Sequence, residues 1–142
     1  MANGYRRIDL QKLSQAKLDD AQLLYGNERY SNAYYLAGYS IELALKACIA
    51  RQISSETLPD SKFNREVYSG HDLAKLVKLA GLACDHKERE DRDPDFAAGW
   101  AIIVEWNPDT RYTHSDKDST QILLESIQNP TKGILSWIRN YW

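Results

Sequence analysis

Ala33-Tyr34-Tyr35-Leu36-Ala37-Gly38-Tyr39-Ser40-Ile41-Glu42-Leu43-Ala44-Leu45-Lys46-Ala47 is the stretch on which the reading of this chain turns. Ala33, Ala37, Ser40, Ala44 and Ala47 recur at alternating steps of four and three, the spacing that keeps side chains on one face of an α-helix. All five are small, so a neighbouring helix can approach that face closely. Ile41, Leu45 and Cys48 widen the apolar surface, and a second face carries Tyr35, Tyr39, Glu42 and Lys46. A helix that is apolar on most sides belongs in the middle of a bundle. Ser31 is placed to cap its start, and the helix is expected to run to about Arg51.

The flanking text is helical too. Leu10, Leu13, Ala21, Leu24 and Tyr25 share one face of a first helix, which Gly26 and Asn27 end. Residues 53 to 70 hold Pro59, Gly70 and many polar residues, and read as a loop. Asp72 opens a third helix with Leu73, Leu76, Val77, Ala80 and Cys84 on one stripe. Asp93-Pro94, a cap followed by proline at the first helical position, starts a fourth with Phe96, Trp100, Ile103 and Val104 inward. Asn107-Pro108 ends it. Leu123, Ile127, Ile134 and Ile138 continue a near-heptad stripe that Pro130 interrupts. Either one helix kinks there or a new one begins at Thr131. No convincing period-two alternation occurs, so the pattern predicts an all-α chain of four to five helices joined antiparallel, with no sheet.

At 142 residues the chain suits a single domain spanning 1–142, and 43% apolar with 27% charged residues argues against disorder. The net charge of −2 means that any nucleic-acid contact must come from a local patch, not a global positive field. Cys48 and Cys84 do not make a disulfide framework, and read as reduced thiols of a cytoplasmic protein. The run from Met1 to Arg7 has no apolar core behind it, so no signal peptide is expected. The longest apolar run, Phe96 to Val104, is too short to span a bilayer. The mixed-sign stretch from Asp85 to Asp93 reads as a solvated connector or helix end.

The string from Ala33 to Ala47 resembles the central helix of the HEPN family: an alanine, aromatic residues, then a Glu-Leu-Ala-Leu-Lys core, here Glu42 to Lys46. Ala16 to Tyr30 resembles the helix that precedes it. Gly70-His71-Asp72-Leu73 resembles the family's His-x-Leu start of a later helix, and Thr110-Arg111-Tyr112 its Arg-Tyr element. The pieces fall in the family's order over roughly residues 14 to 116; residues 1 to 13 and the last helix match only in helical character. The resemblance implies an up-and-down helix bundle that forms a homodimer. It also implies a frequent nucleotidyltransferase partner and contact with RNA or nucleotides. Some members are metal-independent ribonucleases carrying an arginine, four to six intervening residues and a histidine. Others lack that motif and act as binding modules.

Arg111 and His114 are the candidate catalytic pair. Metal-free RNA cleavage needs an acid, a base and a cation for the phosphate. Positions three apart in a helical turn share a face, so both groups can meet one phosphate. Only Tyr112 and Thr113 separate them, fewer than the ribonuclease motif requires, and the Arg-Tyr element points toward the binding-module branch. Arg65 and His71 show the formal ribonuclease spacing, but in the loop before the third helix, where the pattern is a chance match.

Glu42 and Lys46 are either an ordinary surface pair or, if the second helix is central, a buried carboxylate needing a cation, with Arg111 as the candidate partner. His71 reads as a structural imidazole, on backbone or on Tyr35 or Tyr39, or as a ligand contact. His71, Cys84 and His86 lack the paired spacing of a zinc site, so no metal is expected, and no Gly-rich phosphate loop points to a cofactor. Trp137 and Trp142 belong to a dimer surface or to the core. The expected ligand-binding set is Arg111, Tyr112, Glu42, Lys46 and His71, in a non-catalytic module for RNA or a nucleotide. The alternatives are a metal-independent endoribonuclease, as a toxin or defence effector, using Arg111 and His114, and a dimeric adaptor without nucleic acid.

Overall fold

A computed structural model describes residues 4–53, 56 and 58–142. Eight α-helices and one 3-10 turn occur among the described residues, and no strand. They are α1 (Arg7–Gly26), α2 (Tyr30–Gln52), α3 (Ser61–Tyr68), α4 (Leu73–Leu79), α5 (Ala83–Arg92), α6 (Pro94–Ile103), the 3-10 turn Pro108–Tyr112, α7 (Lys117–Gln128) and α8 (Ile134–Ile138). The chain is all-helical, but with more and shorter helices than the four to five expected.

The centre is α2, which packs against α1, α4, α7, α8 and the 3-10 turn. Its small-residue face, Ala33, Ala37, Ser40, Ala44 and Ala47, is wholly buried. α1 runs antiparallel along α2, with Leu10 beside Leu43 and Ala47. Ser14 Oγ donates to the Ser40 carbonyl at 2.7 Å, so a buried hydroxyl is satisfied across the helix pair. Ile41, Leu45, Leu73, Leu76, Phe96, Ile103, Leu123, Ile127 and Ile134 fill the interior, each contributing about 1.5–3 kcal/mol of apolar burial.

The close approach at α2 extends to Gly38. A Cβ there would overlap the Trp106 ring, and Trp106 Nε1 donates to the Tyr35 carbonyl at 3.1 Å. Trp106, 1% exposed, thus anchors the chain leaving α6 directly onto α2.

Several boundaries differ from the pattern-based expectation. α1 ends at Gly26, but the left-handed residue that turns the chain is Glu28, at φ 62°. α2 begins at Tyr30 without a side-chain cap. Ser31 Oγ instead accepts from the Ser115 amide at 2.9 Å and ties the 107–116 segment to α2. The loop expected over residues 53 to 70, of which 54, 55 and 57 lie outside the described residues, contains α3. Asp60 caps α3, accepting from the Lys62 amide at 3.2 Å, and Phe63 and Val67 rest on the core.

The single third helix is two. Gly81, at φ +72°, adopts a left-handed turn that splits α4 from α5. Cys84 is therefore exposed and off the stripe. The charged run from Asp85 is the body of α5, and it buries His86. At Pro130 the chain breaks: α7 stops at Gln128 and α8 starts at Ile134, not Thr131. Asn129 Oδ1 accepts from the Thr131 and Lys132 amides at 3.1 and 3.0 Å and holds the turn. Trp137 is interior, its ring 5.4 Å from that of Phe96, so it cannot mark a dimer surface. No helix among the described residues is long and apolar enough to cross a membrane.

Candidate functional site

α1, α2, α3 and the residues leading into α4 enclose a cleft of about 310 Å³. Its volume lies at the lower end of the range for small-ligand sites. Leu10 and Leu13 of α1, Leu43 and Ile49 of α2 and Val67 of α3 make apolar walls. Tyr5, Tyr39 and Tyr68 add aromatic surface, and the Tyr5 and Tyr68 rings pack with centroids 5.9 Å apart.

Three of the polar lining residues form one cluster. Glu42 is 1% exposed, with Oε1 2.8 Å from His71 Nδ1 and Oε2 3.3 Å from Lys46 Nζ. A buried carboxylate is expensive unless paired, and α2 supplies the cation one turn on, in the favourable acid-first order. The imidazole comes from the turn before α4, where Asp72 caps the helix by accepting from the Lys75 amide at 3.1 Å. Among the described residues His71 Nε2 has no hydrogen-bond partner, and the ring is 48% exposed.

Beside the cluster, Tyr39 sits with the Lys17 ammonium 5.8 Å from its ring centre. Burial first, and then the Glu42 carboxylate, raises the Tyr39 phenol above its ordinary value, so it remains a neutral hydrogen-bonding group. The cleft thus offers flat apolar and aromatic surface for a ring, with one ammonium and one carboxylate-oriented imidazole for a polar head group.

Glu42, Lys46 and His71 of the expected ligand set are therefore brought together, but Arg111 does not join them. Its anticipated pairing with Glu42 is replaced by Lys46 and His71. Arg111 lies exposed in the 3-10 turn, its guanidinium 4.9 Å from the Tyr112 ring centre. Hydrogen bonding to Tyr112, and next to Tyr35, raises it above its ordinary value. Tyr112 is 76% exposed. His114 is exposed as well, and the helical register is lost between it and Arg111: the turn ends at Tyr112 and Thr113 is extended, at φ −118° and ψ 160°. Among the described residues no hydrogen bond or ion pair joins Arg111 to His114. Arg111 touches the cleft only indirectly, through Tyr35, whose ring packs edge-on to Tyr39 at 5.9 Å.

Sequence reasoning missed Tyr5, Asn64, Val67 and Tyr68 as lining residues. The Asp60 cap and the Phe63–Val67 spacing were the available signals for α3. Among the described residues no group of His, Cys, Asp and Glu is placed to hold a metal ion. Cys48 is buried, and burial pushes its thiol up to about 12. Comparison with protein-family models, with curated proteins and with solved structures gives no match to this chain.

Proposed function

We propose that this chain is a HEPN-like helical bundle that binds a nucleotide, or a nucleotide at the end of an RNA strand, in the α1–α2–α3 cleft without cleaving it. The observation that supports this reading most is the convergence of Glu42, Lys46 and His71 on an aromatic-walled cleft. A nucleobase can stack on tyrosine faces, which is sequence-tolerant and worth about 1–3 kcal/mol per base. A phosphate can take the remaining protons of Lys46 and the outer nitrogen of His71. Glu42 and Lys46 belong to the stretch that resembles the HEPN central helix, and His71 to the later His-x-Leu element. From the same resemblance come two further parts of the proposal, a homodimer and a nucleotidyltransferase-like partner.

Titration calorimetry with the four ribonucleoside 5′-monophosphates and a short oligoribonucleotide tests it. Binding should appear, and Lys46→Ala should weaken it about tenfold or more, the size of one lost charged hydrogen bond. A labelled-RNA gel run beside it should show intact strands. If neither nucleotides nor RNA bind a folded chain, the adaptor reading replaces this one. If strands are cut, and the cutting is lost in His114→Ala, the ribonuclease reading replaces it.

A further inference from the structure

Building on the nucleotide reading of the cleft, we infer that a phosphate-bearing ligand binds there together with one proton, held between a phosphate oxygen and Nε2 of His71. The argument starts from the tautomer. Glu42 is 1% exposed and sits within 2.8 Å of His71 Nδ1. An ionised carboxylate only accepts, so Nδ1 carries the hydrogen, and a neutral ring presents Nε2 outward as a bare acceptor. Phosphate oxygens are acceptors too. Two acceptors facing each other repel unless a proton lies between them.

Charge leads to the same place. Lys46 neutralises Glu42 across 3.3 Å, so the pair offers no surplus cation to an anion. Among the described residues that line the cleft, Lys46 is the only lysine or arginine, and several charged groups near it are already engaged. On α3 and α4, Glu66 and Lys75 pair with each other at 3.2 Å. Asp72 is engaged as the α4 cap. Tyr5, Tyr39 and Tyr68 bring phenols, and Lys17 of α1 lies over the Tyr39 ring. Protonating His71 turns a neutral triad into one of charge +1. The ring then donates from both nitrogens, to the Glu42 carboxylate on one side and to the phosphate on the other.

The second ionisation of a phosphate monoester lies at about pH 6. At about pH 8 the free ligand is a dianion and brings no proton of its own to the site. The shared proton must then come from solvent, and uptake approaches one per ligand. There, affinity should fall about tenfold per pH unit.

Calorimetry of the full chain with adenosine 5′-monophosphate decides this. The titration is run at about pH 8 in two buffers of different ionisation enthalpy and repeated at about pH 6, on either side of the imidazole range. The expected result is a heat that differs between buffers by close to one proton at the higher pH, with tighter binding at the lower. Adenosine, which lacks the phosphate, should show neither effect, and a dinucleotide tests whether a diester phosphate takes up the proton as well. His71→Gln supplies an amide donor that needs no proton, so it should abolish both the uptake and the pH slope. If that variant unfolds, the buffer pair on the unaltered chain still decides. Binding of the monophosphate with equal heats in both buffers overturns the inference and leaves the cleft reading standing. Failure of both monophosphate and adenosine to bind a chain that melts normally overturns the cleft reading itself.

Discussion

Two histidines in this chain make the same bond and are used in opposite ways. His71 Nδ1 meets Glu42 at 2.8 Å, and His86 Nδ1 meets Glu90 at 2.9 Å. In the first pair the carboxylate is 1% exposed and the ring 48%. In the second the ring is 8% exposed and the carboxylate 31%. Burying the acid and exposing the base gives an oriented imidazole whose second nitrogen faces a cleft. Burying the base puts its ring against Phe96, Trp100 and Trp137, with centroids at 5.5, 4.5 and 5.4 Å, and leaves Nε2 without a partner among the described residues. Which partner is buried, not which residues pair, separates a site from a packing element.

The largest effect expected from that asymmetry is at the two acids. Glu42→Ala removes the carboxylate that holds both Lys46 and His71. It strands Lys46, only 13% exposed, without its counter-charge. Breaking a buried pair by removing one partner costs about 3–5 kcal/mol. Glu90→Ala leaves a second nitrogen of the buried ring unsatisfied, but no charge without its counter-ion, and should cost about 1–2 kcal/mol. Urea melts of both variants measure the difference. Equal losses would erase the distinction drawn between the pairs.

A smaller, pH-dependent effect belongs to His86. Burial pushes its imidazole below the ordinary value of 6.5, and the Glu90 carboxylate offsets this only in part. A base depressed in the folded state binds fewer protons there than in the unfolded chain. Its contribution is therefore complete above 6.5 and is lost as pH falls below that value. His86→Phe keeps the aromatic packing and removes the titration. Denaturation midpoints followed downward from neutral pH should fall less steeply in that variant than in the parent chain. Parallel curves would show that the acid limb has another origin.

The smallest stability effects lie at exposed groups. His71→Ala leaves Glu42 with Lys46 and should cost about 1 kcal/mol while reducing nucleotide affinity. Arg111→Ala, at an exposed turn, should stay within about 0.5 kcal/mol and leave affinity at the cleft largely intact. Loss of nucleotide binding on Arg111→Ala would move the site to the 3-10 turn.

The unequal legibility of these regions has physical causes. α2 could be read because its small face is continuous and every member is buried. α3 could not, because Lys62, Asn64, Arg65 and Glu66 hide the Phe63–Val67 stripe and no residue of that helix is fully buried. The split at Gly81 depends on a left-handed backbone, which a helical stripe passing through Ala80 and Cys84 does not reveal. Glu42, Lys46 and His71 were each visible as candidates, but their meeting spans 29 residues and is set by where α4 packs on α2. Arg111 looked the better partner because a loop arginine is mobile in imagination and fixed in the fold by Tyr35 and Tyr112. His86 was masked by its charged neighbours, since it is the one position that α5 fully buries.

The chain has 3 histidines, and each stands in a different place: His71 at the cleft, His86 in the core, His114 beside the 3-10 turn. Their imidazole signals in a histidine-selective heteronuclear NMR spectrum, followed as adenosine 5′-monophosphate is added, test the central claim directly. The account predicts that the His71 resonances move and saturate with the binding curve while those of His86 and His114 hold still. Movement of His114 with His71 silent, or no movement at any of the three, would contradict it.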